Sequence, residues 1–318
     1  MKFLKLTGWV FIVLCGLGWG YHAYQDVEIK QLNEESRSAL NAEFVKLSKG
    51  VTRYQLTGDK NAETVVLVHG YGVASYVWQP TYEFLETQGF RVLSLDLYGH
   101  GYSDRPDEVY GVELFAEQIN ELVEALNINK PFHLLGLSMG GTIVSHFAHR
   151  FPEKLKSLIL QDPLVINLGE DRIYPLTIPL VGEYLFNVFL MPRNIESHAN
   201  KPGKGEAFET YGDNYLEQAE YEGFRNAMLS ALRFMATHDY NYEYQELAKT
   251  KMPKLLIWGS EDKTVPIKQA SILLDLMPEL SYEIIDGAGH VPSMEVPNKF
   301  NPILLNWLEK QKENSHEG

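Results

Sequence analysis

A serine flanked by two glycines directly follows a short apolar run, and this motif restricts the fold of the chain more than any other feature. Residues 136–140 read Gly-Leu-Ser-Met-Gly, and the residues before them read Pro-Phe-His-Leu-Leu. Such a motif after a strand is typical of a tight strand-to-helix turn that exposes a serine hydroxyl. Side chains at Gly136 and Gly140 would collide with neighbouring backbone in that turn. The motif therefore predicts covalent chemistry on Ser138, as in a hydrolase or an acyl transferase.

Short apolar runs alternate with helical patterns over most of the chain, which predicts an α/β fold. Residues 64–68 form a continuous β-branched run, as expected of a strand that is buried on both faces. Helical patterns cover residues 112–126 and 142–150. This alternation favours a mostly parallel, doubly wound sheet with helices on both sides. The other predicted strands are residues 51–57, 91–95, 132–135, 158–160, 254–258 and 282–285.

The alternation stops between residues 163 and 250, where we find no strand pattern. This stretch holds scattered aromatic residues and prolines, a loop-like segment at residues 201–205, and a helical pattern at residues 217–235. An insertion of this kind between two core strands predicts a helical cap. The predicted division of the chain is a connector at residues 26–50, a core at residues 51–163 and 251–318, and a cap at residues 164–250. Within the connector, residues 29–47 show a helical pattern.

Residues 1–25 predict a membrane anchor. Lys2 and Lys5 precede an uncharged stretch at residues 6–25, and Asp26 follows it. A helix of about 20 uncharged residues just spans a bilayer, and lysines before it place the amino terminus on the cytoplasmic side. We therefore expect one N-terminal transmembrane helix, with the bulk of the chain on the non-cytoplasmic side. The alternative is a cleaved signal peptide that leaves a secreted or periplasmic protein.

Charge and cysteine content exclude several classes of site. The net charge of −14 over 318 residues, together with the lack of a basic cluster, argues against a nucleic acid as partner. Cys15 is the only cysteine, which excludes an intramolecular disulfide and a metal site built from cysteines. Nothing in the sequence indicates an oligomeric state.

Two residues downstream of Ser138 complete the set that a serine nucleophile needs. Its hydroxyl requires a base to take the proton and an acid to orient that base. In folds built around this turn, the chain order is serine, acid, histidine. Asp262 and His290 follow in that order, each in a loop after a predicted strand, so we expect all three at one sheet edge. Asp162, which follows the strand at residues 158–160, is the alternative acid.

Two backbone N–H groups are expected to stabilise the negative oxygen that forms when the serine attacks a carbonyl carbon. Met139 directly follows the serine and should provide one of them. The second is expected from Tyr71, within the His-Gly-Tyr-Gly segment at residues 69–72 that follows the predicted strand at residues 64–68. The predicted oxyanion hole therefore consists of the N–H groups of Tyr71 and Met139.

Taken together, these motifs resemble the α/β-hydrolase fold superfamily, in particular its capped esterase and monoacylglycerol-lipase-like branch. The resemblance runs from about residue 51 to residue 308, and the serine stands where related dehalogenases and epoxide hydrolases carry an aspartate. Five segments match in order: HGYG from His69, DLYGHGYSD from Asp96, GLSMGG from Gly136, GSEDKTVP from Gly259 and GAGHVPSMEVP from Gly287.

The resemblance implies a serine hydrolase that cleaves carboxylic esters through an acyl-enzyme on Ser138 and requires neither metal nor cofactor. A chain anchored beside a membrane would meet lipid-derived esters, so a monoacylglycerol or a medium-chain ester is the expected small-molecule substrate. Two alternatives stay open. One is hydrolysis of a C–C bond in a ring-cleavage product by the same triad, and the other is a non-catalytic binding protein on the same scaffold.

Overall fold

The central feature of the chain is an eight-stranded sheet, found in a computed structural model that describes residue 20, residues 26–200 and residues 208–314. The order of the strands across the sheet is 1-2-4-3-5-6-7-8. The first two of these pairings are antiparallel and the others are parallel. The predicted mostly parallel α/β sheet is therefore confirmed. The strands are β1 (Glu43–Lys46), β2 (Val51–Thr57), β3 (Thr64–Val68), β4 (Arg91–Leu95), β5 (Phe132–Leu137), β6 (Leu155–Gln161), β7 (Lys254–Gly259) and β8 (Ser281–Ile285).

Helices lie on both faces of the sheet and fill the segment between β6 and β7. The α-helices are α1 (Glu34–Ser38), α2 (Gln79–Thr87), α3 (Val112–Ala125), α4 (Met139–Arg150), α5 (Glu170–Ile173), α6 (Val181–Leu185), α7 (Met191–Ala199), α8 (Tyr211–Ala219), α9 (Phe224–Thr237), α10 (Tyr240–Ala248), α11 (Ala270–Leu276), α12 (Pro292–Glu295) and α13 (Pro297–Asn314). A π-helical turn at Phe186–Leu190 joins α6 to α7, and 3₁₀ turns occur at Ser75–Trp78, Pro152–Lys154 and Ile267–Gln269.

Strand β3 shows why the sheet needs helices on both faces. All five of its residues are buried, and successive side chains of a strand point to opposite faces. Val66 and Val68 belong to one hydrophobic cluster, whereas Val65 and Leu67 belong to a second cluster on the other face. Strand β3 is thus buried on both faces, as the sequence predicts.

The parallel pairing brings the carboxyl ends of the central strands to one edge. Val68 at the end of β3 is in register with Gly136 near the end of β5, and Gly136 is in register with Leu160 of β6. Gln161 of β6 lies opposite Ile257 of β7. The loops that leave β3, β5, β6 and β7 therefore start beside one another, and these loops carry the predicted site residues.

Two predicted helices differ from the structure. The helical pattern within the connector, at residues 29–47, contains only the short helix α1 and then strand β1, which pairs antiparallel with β2. A partner strand nearby overrides weak local preference in such short segments. The helix predicted at residues 217–235 is two helices, α8 and α9, separated by Gly223 with φ of 87°.

The predicted membrane anchoring requires correction. Within the described part of the chain, no helix combines the length and the apolar character needed to cross a membrane. The segment to which the anchor was assigned, residues 1–25, lies outside the described residues except for Gly20. The predicted N-terminal transmembrane helix and the localisation derived from it are therefore not supported.

Replacing a buried isoleucine of the sheet should destabilise the protein far more than replacing an exposed one. Ile159 of β6 is fully buried, whereas 51% of Ile284 of β8 is exposed. We expect Ile159→Ala to lower the free energy of unfolding by about 2–5 kcal/mol, because it leaves a cavity between packed layers. The matched Ile284→Ala change should cost less than about 1 kcal/mol. Urea unfolding of both variants measures the difference, and equal losses would contradict the described core.

Candidate active site

Ser138 lies between β5 and α4 in a backbone conformation that residues with side chains rarely adopt. Its φ is 56° and its ψ is −119°. A positive φ at such a residue stores strain of roughly 1–3 kcal/mol and persists only where the surroundings impose it. The N–H of Ser138 donates to the carbonyl of Gln161 at 3.0 Å, and its own carbonyl accepts from Gly141 and Leu164 at 2.9 and 3.1 Å. Neighbouring backbone thus holds the turn in place.

The two motif glycines allow backbone segments to approach more closely than any side chain permits. A Cβ atom at Gly136 would lie 2.3 Å from the carbonyl oxygen of Gly140. A Cβ atom at Gly140 would lie 2.5 Å from the carbonyl oxygen of His69 and 2.6 Å from that of Val68. All three distances are below van der Waals contact, so the predicted collisions are confirmed. Gly140 is therefore the point where the loop after β3 rests on the serine turn.

A short hydrogen bond joins Asp262 to His290. The distance between Nδ1 of His290 and Oδ2 of Asp262 is 2.7 Å. The other oxygen of Asp262, Oδ1, accepts from the backbone N–H groups of Thr264 and Val265 at 2.7 and 3.0 Å. These two donors fix the orientation of the carboxylate. With the Nδ1 proton donated to Asp262, the lone pair of the neutral imidazole is on Nε2.

Glu295 braces the His290 loop, and sequence reasoning missed this residue. One of its carboxylate oxygens accepts from the N–H of Gly289 at 2.7 Å, and the other accepts from the N–H of Val291 at 3.1 Å. The two donors flank His290, so the carboxylate holds the loop on both sides of the imidazole. Glu295 lies within the GAGHVPSMEVP segment, and an acidic residue soon after the histidine was the available signal.

Asp162 occupies the position of the alternative acid and is fully buried. Its Oδ1 accepts from the N–H of Gly259 at 2.8 Å, while Oδ2 receives no hydrogen bond from any described donor. Single ligand-type atoms of Asp162, Asp262 and His290 all lie within 4.8 Å of one another. Burial, together with the neighbouring carboxylate of Asp262, raises the pKa of Asp162 well above its ordinary range. The carboxyl of Asp162 therefore binds a proton more readily than an ordinary aspartate does.

His69 fixes the loop after β3. It is fully buried, its Nδ1 contacts the carbonyl of Gly70 at 2.8 Å, and its Nε2 accepts from the N–H of Leu97 at 2.9 Å. An imidazole with one donor contact and one acceptor contact is neutral. Burial lowers its pKa to about 4, which keeps it neutral near pH 7. His69 therefore acts in the structure as a brace between two loops.

The inserted segment also holds this loop, through a residue that the sequence did not single out. Gln218 of α8 donates from Nε2 to the carbonyl of Gly72 at 2.8 Å and accepts at Oε1 from the N–H of Gly101 at 2.9 Å. The hydroxyl of Tyr71 donates to the carbonyl of Met228 in α9 at 3.2 Å. No local pattern marks Gln218, because both of its partners lie more than 100 residues away in sequence.

The backbone N–H groups of Tyr71 and Met139 are both available to donate a hydrogen bond to an anion. No hydrogen bond from either group is formed within the described part of the chain. Met139 is the first residue of α4, and the side chain of Ser138 does not cap that helix. The first N–H groups of a helix have no partner within it, and the helix dipole favours negative charge at that end. This end of α4 can therefore stabilise an anion.

A cavity of about 400 Å³ contains both Ser138 and His290 in its wall. Cavities of this size are typical of small-molecule sites. The wall is mostly apolar, and none of the described residues that line it is an aspartate, glutamate, lysine or arginine. The lining residues are Gly70, Tyr71, Val73, Leu137, Ser138, Leu164, Leu168, Asn194, Ser197, His198, Tyr211, Leu232, Met235, Thr264, Val265, His290 and Val291.

The folded chain should lose stability as the pH falls, because His69 binds a proton less readily in the folded than in the unfolded state. Its pKa is about 4 in the folded chain against an ordinary value of 6.5, so the unfolded chain takes up the proton first as the pH falls. Stability is therefore lost from about pH 6.5 down to about pH 4, by roughly 3 kcal/mol. His69→Gln keeps a donor and an acceptor but removes this titration, so its stability curve should be flatter. Urea unfolding of the wild type and of His69→Gln between about pH 6.5 and pH 4 measures the difference. If stability falls equally with pH in both proteins, the prediction is wrong.

Comparisons with known proteins identify the family. The family profile described as alpha/beta hydrolase fold matches residues 63–185. A protein of Pantoea ananatis that is named as a carbamate hydrolase is 30% identical over 266 residues, which is 81% of this chain and 93% of the relative. Lipase 1 of Psychrobacter immobilis is 26% identical over 82% of each chain.

Solved structures agree on the architecture. A crystal structure from work on carboxylesterases of the Thaumarchaeon Nitrososphaera gargenis superposes with a TM-score of 0.71 at 22% identity, and covers 86% of this chain and 100% of that one. At that identity the likeness shows the fold alone. The Pantoea relative matches at high coverage of both chains, and the family profile covers the segment that contains the serine turn. The chain therefore belongs to the α/β-hydrolase fold family of hydrolases.

Proposed function

We propose that this chain is a serine esterase, with Ser138 as nucleophile, His290 as base and Asp262 as the acid that orients the base. The observation that carries the proposal is that Ser138 and His290 line one cavity while His290 is bonded to Asp262 at 2.7 Å. Strained backbone at Ser138 adds support, because such strain is concentrated at functional sites.

The proposed reaction proceeds through an acyl-enzyme. Nε2 of His290 takes the proton of the Ser138 hydroxyl as the serine oxygen attacks the ester carbonyl carbon. Negative charge then develops on the carbonyl oxygen, and the N–H groups of Tyr71 and Met139 stabilise it. The C–O bond to the alcohol breaks, and His290 returns its proton to the leaving oxygen. Water repeats the sequence on the acyl-enzyme and releases the acid. No step calls for a metal or a cofactor.

The two aspartates have different roles in this proposal. Asp262 is the acid that orients His290, because it binds the imidazole directly and two backbone donors fix its carboxylate. Asp162 is protonated, and its free Oδ2 can donate toward the carboxylate of Asp262. Asp162 thus positions Asp262 rather than acting on His290 directly.

The apolar wall of the cavity supports a neutral ester with an aliphatic acyl group as substrate, and a medium-chain ester or monoacylglycerol fits this description. Residues 164–250 are proposed to form a cap, because helices α7, α8 and α9 contribute to the wall opposite the serine turn. Hydrolysis of a ring-cleavage product fits the site less well. Such a product carries a carboxylate, and no lysine or arginine stands among the described lining residues to pair with it.

Ser138→Ala should abolish ester hydrolysis while leaving the fold intact. We expect kcat/KM to fall by at least about 10³-fold, because removal of a serine nucleophile leaves only binding and oxyanion stabilisation. The assay is a panel of p-nitrophenyl esters from acetate to palmitate together with a monoacylglycerol, and the unfolding midpoint of the variant is the control.

Labelling distinguishes the possible outcomes. A fluorophosphonate probe should add to Ser138 in the wild type and not in the Ser138→Ala variant, as read by mass spectrometry of the peptide. Turnover that survives the substitution would refute the proposed nucleophile. An unlabelled serine and no turnover of any ester would favour a non-catalytic binding protein instead.

Asparagine at the two aspartate positions should have unequal effects. Asp262→Asn removes the charge that stabilises the imidazolium, so kcat should fall by about 10³–10⁴-fold. Asp162→Asn replaces a protonated carboxyl with a neutral amide of the same shape, and kcat should fall by less than about tenfold. Steady-state kinetics on one ester measure both variants side by side. The reverse order of effects would make Asp162 the catalytic acid.

A further inference from the structure

Three histidines converge on one glutamate beside the second half of helix α4, the helix that begins after Ser138. His146 and His149 lie on α4, Glu243 lies on α10, and His238 follows the last residue of α9. Nδ1 of His146 and Nε2 of His149 lie 3.1 and 2.8 Å from Oε2 of Glu243, and Nε2 of His238 lies 3.0 Å from Oε1. None of the four residues lines the cavity that contains the proposed nucleophile.

Glu243 is a buried carboxylate whose ion-pair partners among the described residues are all imidazoles. Only 1% of its surface is exposed. Among the described residues no lysine or arginine forms an ion pair with it, and its partners are the three imidazoles. A buried carboxylate needs a compensating charge, and a cation bound between Glu243 and the imidazoles would supply it.

The spacing of the ligand atoms suits a small divalent ion. Zinc binds histidine nitrogen and carboxylate oxygen at about 2.0–2.2 Å, so two ligands on a tetrahedral ion lie about 3.3 Å apart. One ligand-type atom from each of His146, His149 and Glu243 lies within 4.8 Å of the others, whereas His238 stands outside this group and approaches the other oxygen of the carboxylate. The separations of 2.8–3.1 Å between nitrogen and carboxylate oxygen need to widen by only a few tenths of an ångström.

His238 adds an observation that hydrogen bonding does not explain. Its Nε2 lies 3.0 Å from Oε1 of Glu243 yet has no hydrogen-bond partner of acceptable geometry. A donor that approaches an acceptor at the wrong angle gains little from the contact. A metal ligand needs only to direct its lone pair at the ion, and imidazole with carboxylate is a common zinc donor set. The side chains of His146, His149 and His238 are 10–16% exposed, which leaves a route of entry.

We propose that His146, His149 and Glu243 form a binding site for one divalent transition-metal ion, with His238 as a fourth ligand that reaches the ion after a side-chain rotation. Zn²⁺ is the ion that imidazole nitrogens and one carboxylate suit best. The site is separate from the proposed active site and does not depend on the proposed reaction. Because α4 begins at the serine turn and α10 ends the inserted segment, the ion would join these two parts of the chain.

Zinc binding by the full chain tests this proposal. Protein stripped with a chelator is titrated with ZnCl₂ against a chromophoric competitor, and we expect one ion per chain. Glu243→Gln and His149→Ala should each weaken zinc binding at least about tenfold. Loss of an outer-shell partner of a metal ligand already weakens binding by about 10- to 100-fold, and these two residues are proposed as ligands themselves. Glu246→Gln is the matched control, because Glu246 lies one turn further along α10 and pairs at the surface with Lys249.

Two further measurements keep the test decisive if one variant folds poorly. Zinc in hundredfold excess over its dissociation constant should raise the unfolding midpoint of the wild type by roughly 5 °C, and not that of His149→Ala. Cobalt(II) should give the intense visible bands of a tetrahedral ion in the wild type and in Glu246→Gln. If the wild type shows no saturable binding, or if Glu243→Gln and His149→Ala bind as tightly as the wild type, the four residues are held by hydrogen bonds alone and the proposal is wrong.

Discussion

The close approach of backbone at Gly140 is the constraint on which the rest of the site depends. The carbonyls of Val68 and His69 occupy the space where a side chain at that position would lie. This contact follows from the parallel register of β3 and β5, which puts Val68 opposite Gly136. It seats the loop after β3 directly on the serine turn, so the N–H groups of Tyr71 and Met139 come from two segments in direct contact. The close approach that glycine permits thus sets how near the two sides of the proposed oxyanion hole lie.

A second constraint is electrostatic, and it supports Asp262 over Asp162 as the proposed acid. Two carboxylates so close together cannot both be ionised in a buried site. Asp262 has backbone donors on one oxygen and His290 on the other, whereas Asp162 is fully buried with a single backbone donor. Burial and the neighbouring carboxylate therefore favour a proton on Asp162. From the sequence alone the two residues were competing candidates, and only their different hydrogen bonds separate them.

Much of the fold can be predicted from local sequence patterns. Continuous apolar runs predict β3 and β5 because both faces of these strands are buried, and the spacing of the motifs places Asp262 and His290 in loops after strands. Strand β1 was missed because an edge strand with only partly buried residues lacks such a run. Glu295 and Gln218 were missed for another reason. Their importance lies in backbone groups that they bind, and Gln218 binds one that is 146 residues away, which no local window can reveal.

The inserted segment influences the site from two directions, which explains why the motifs do not specify a substrate. Gln218 and the carbonyl of Met228 hold the loop after β3, while Glu243 contacts the helix that begins at the serine turn. The same segment supplies Asn194 and Leu232 to the cavity wall. Catalytic geometry and cavity shape are therefore coupled through one element with no recognisable motif. A change in its packing can alter which acyl group fits while the proposed triad stays unchanged.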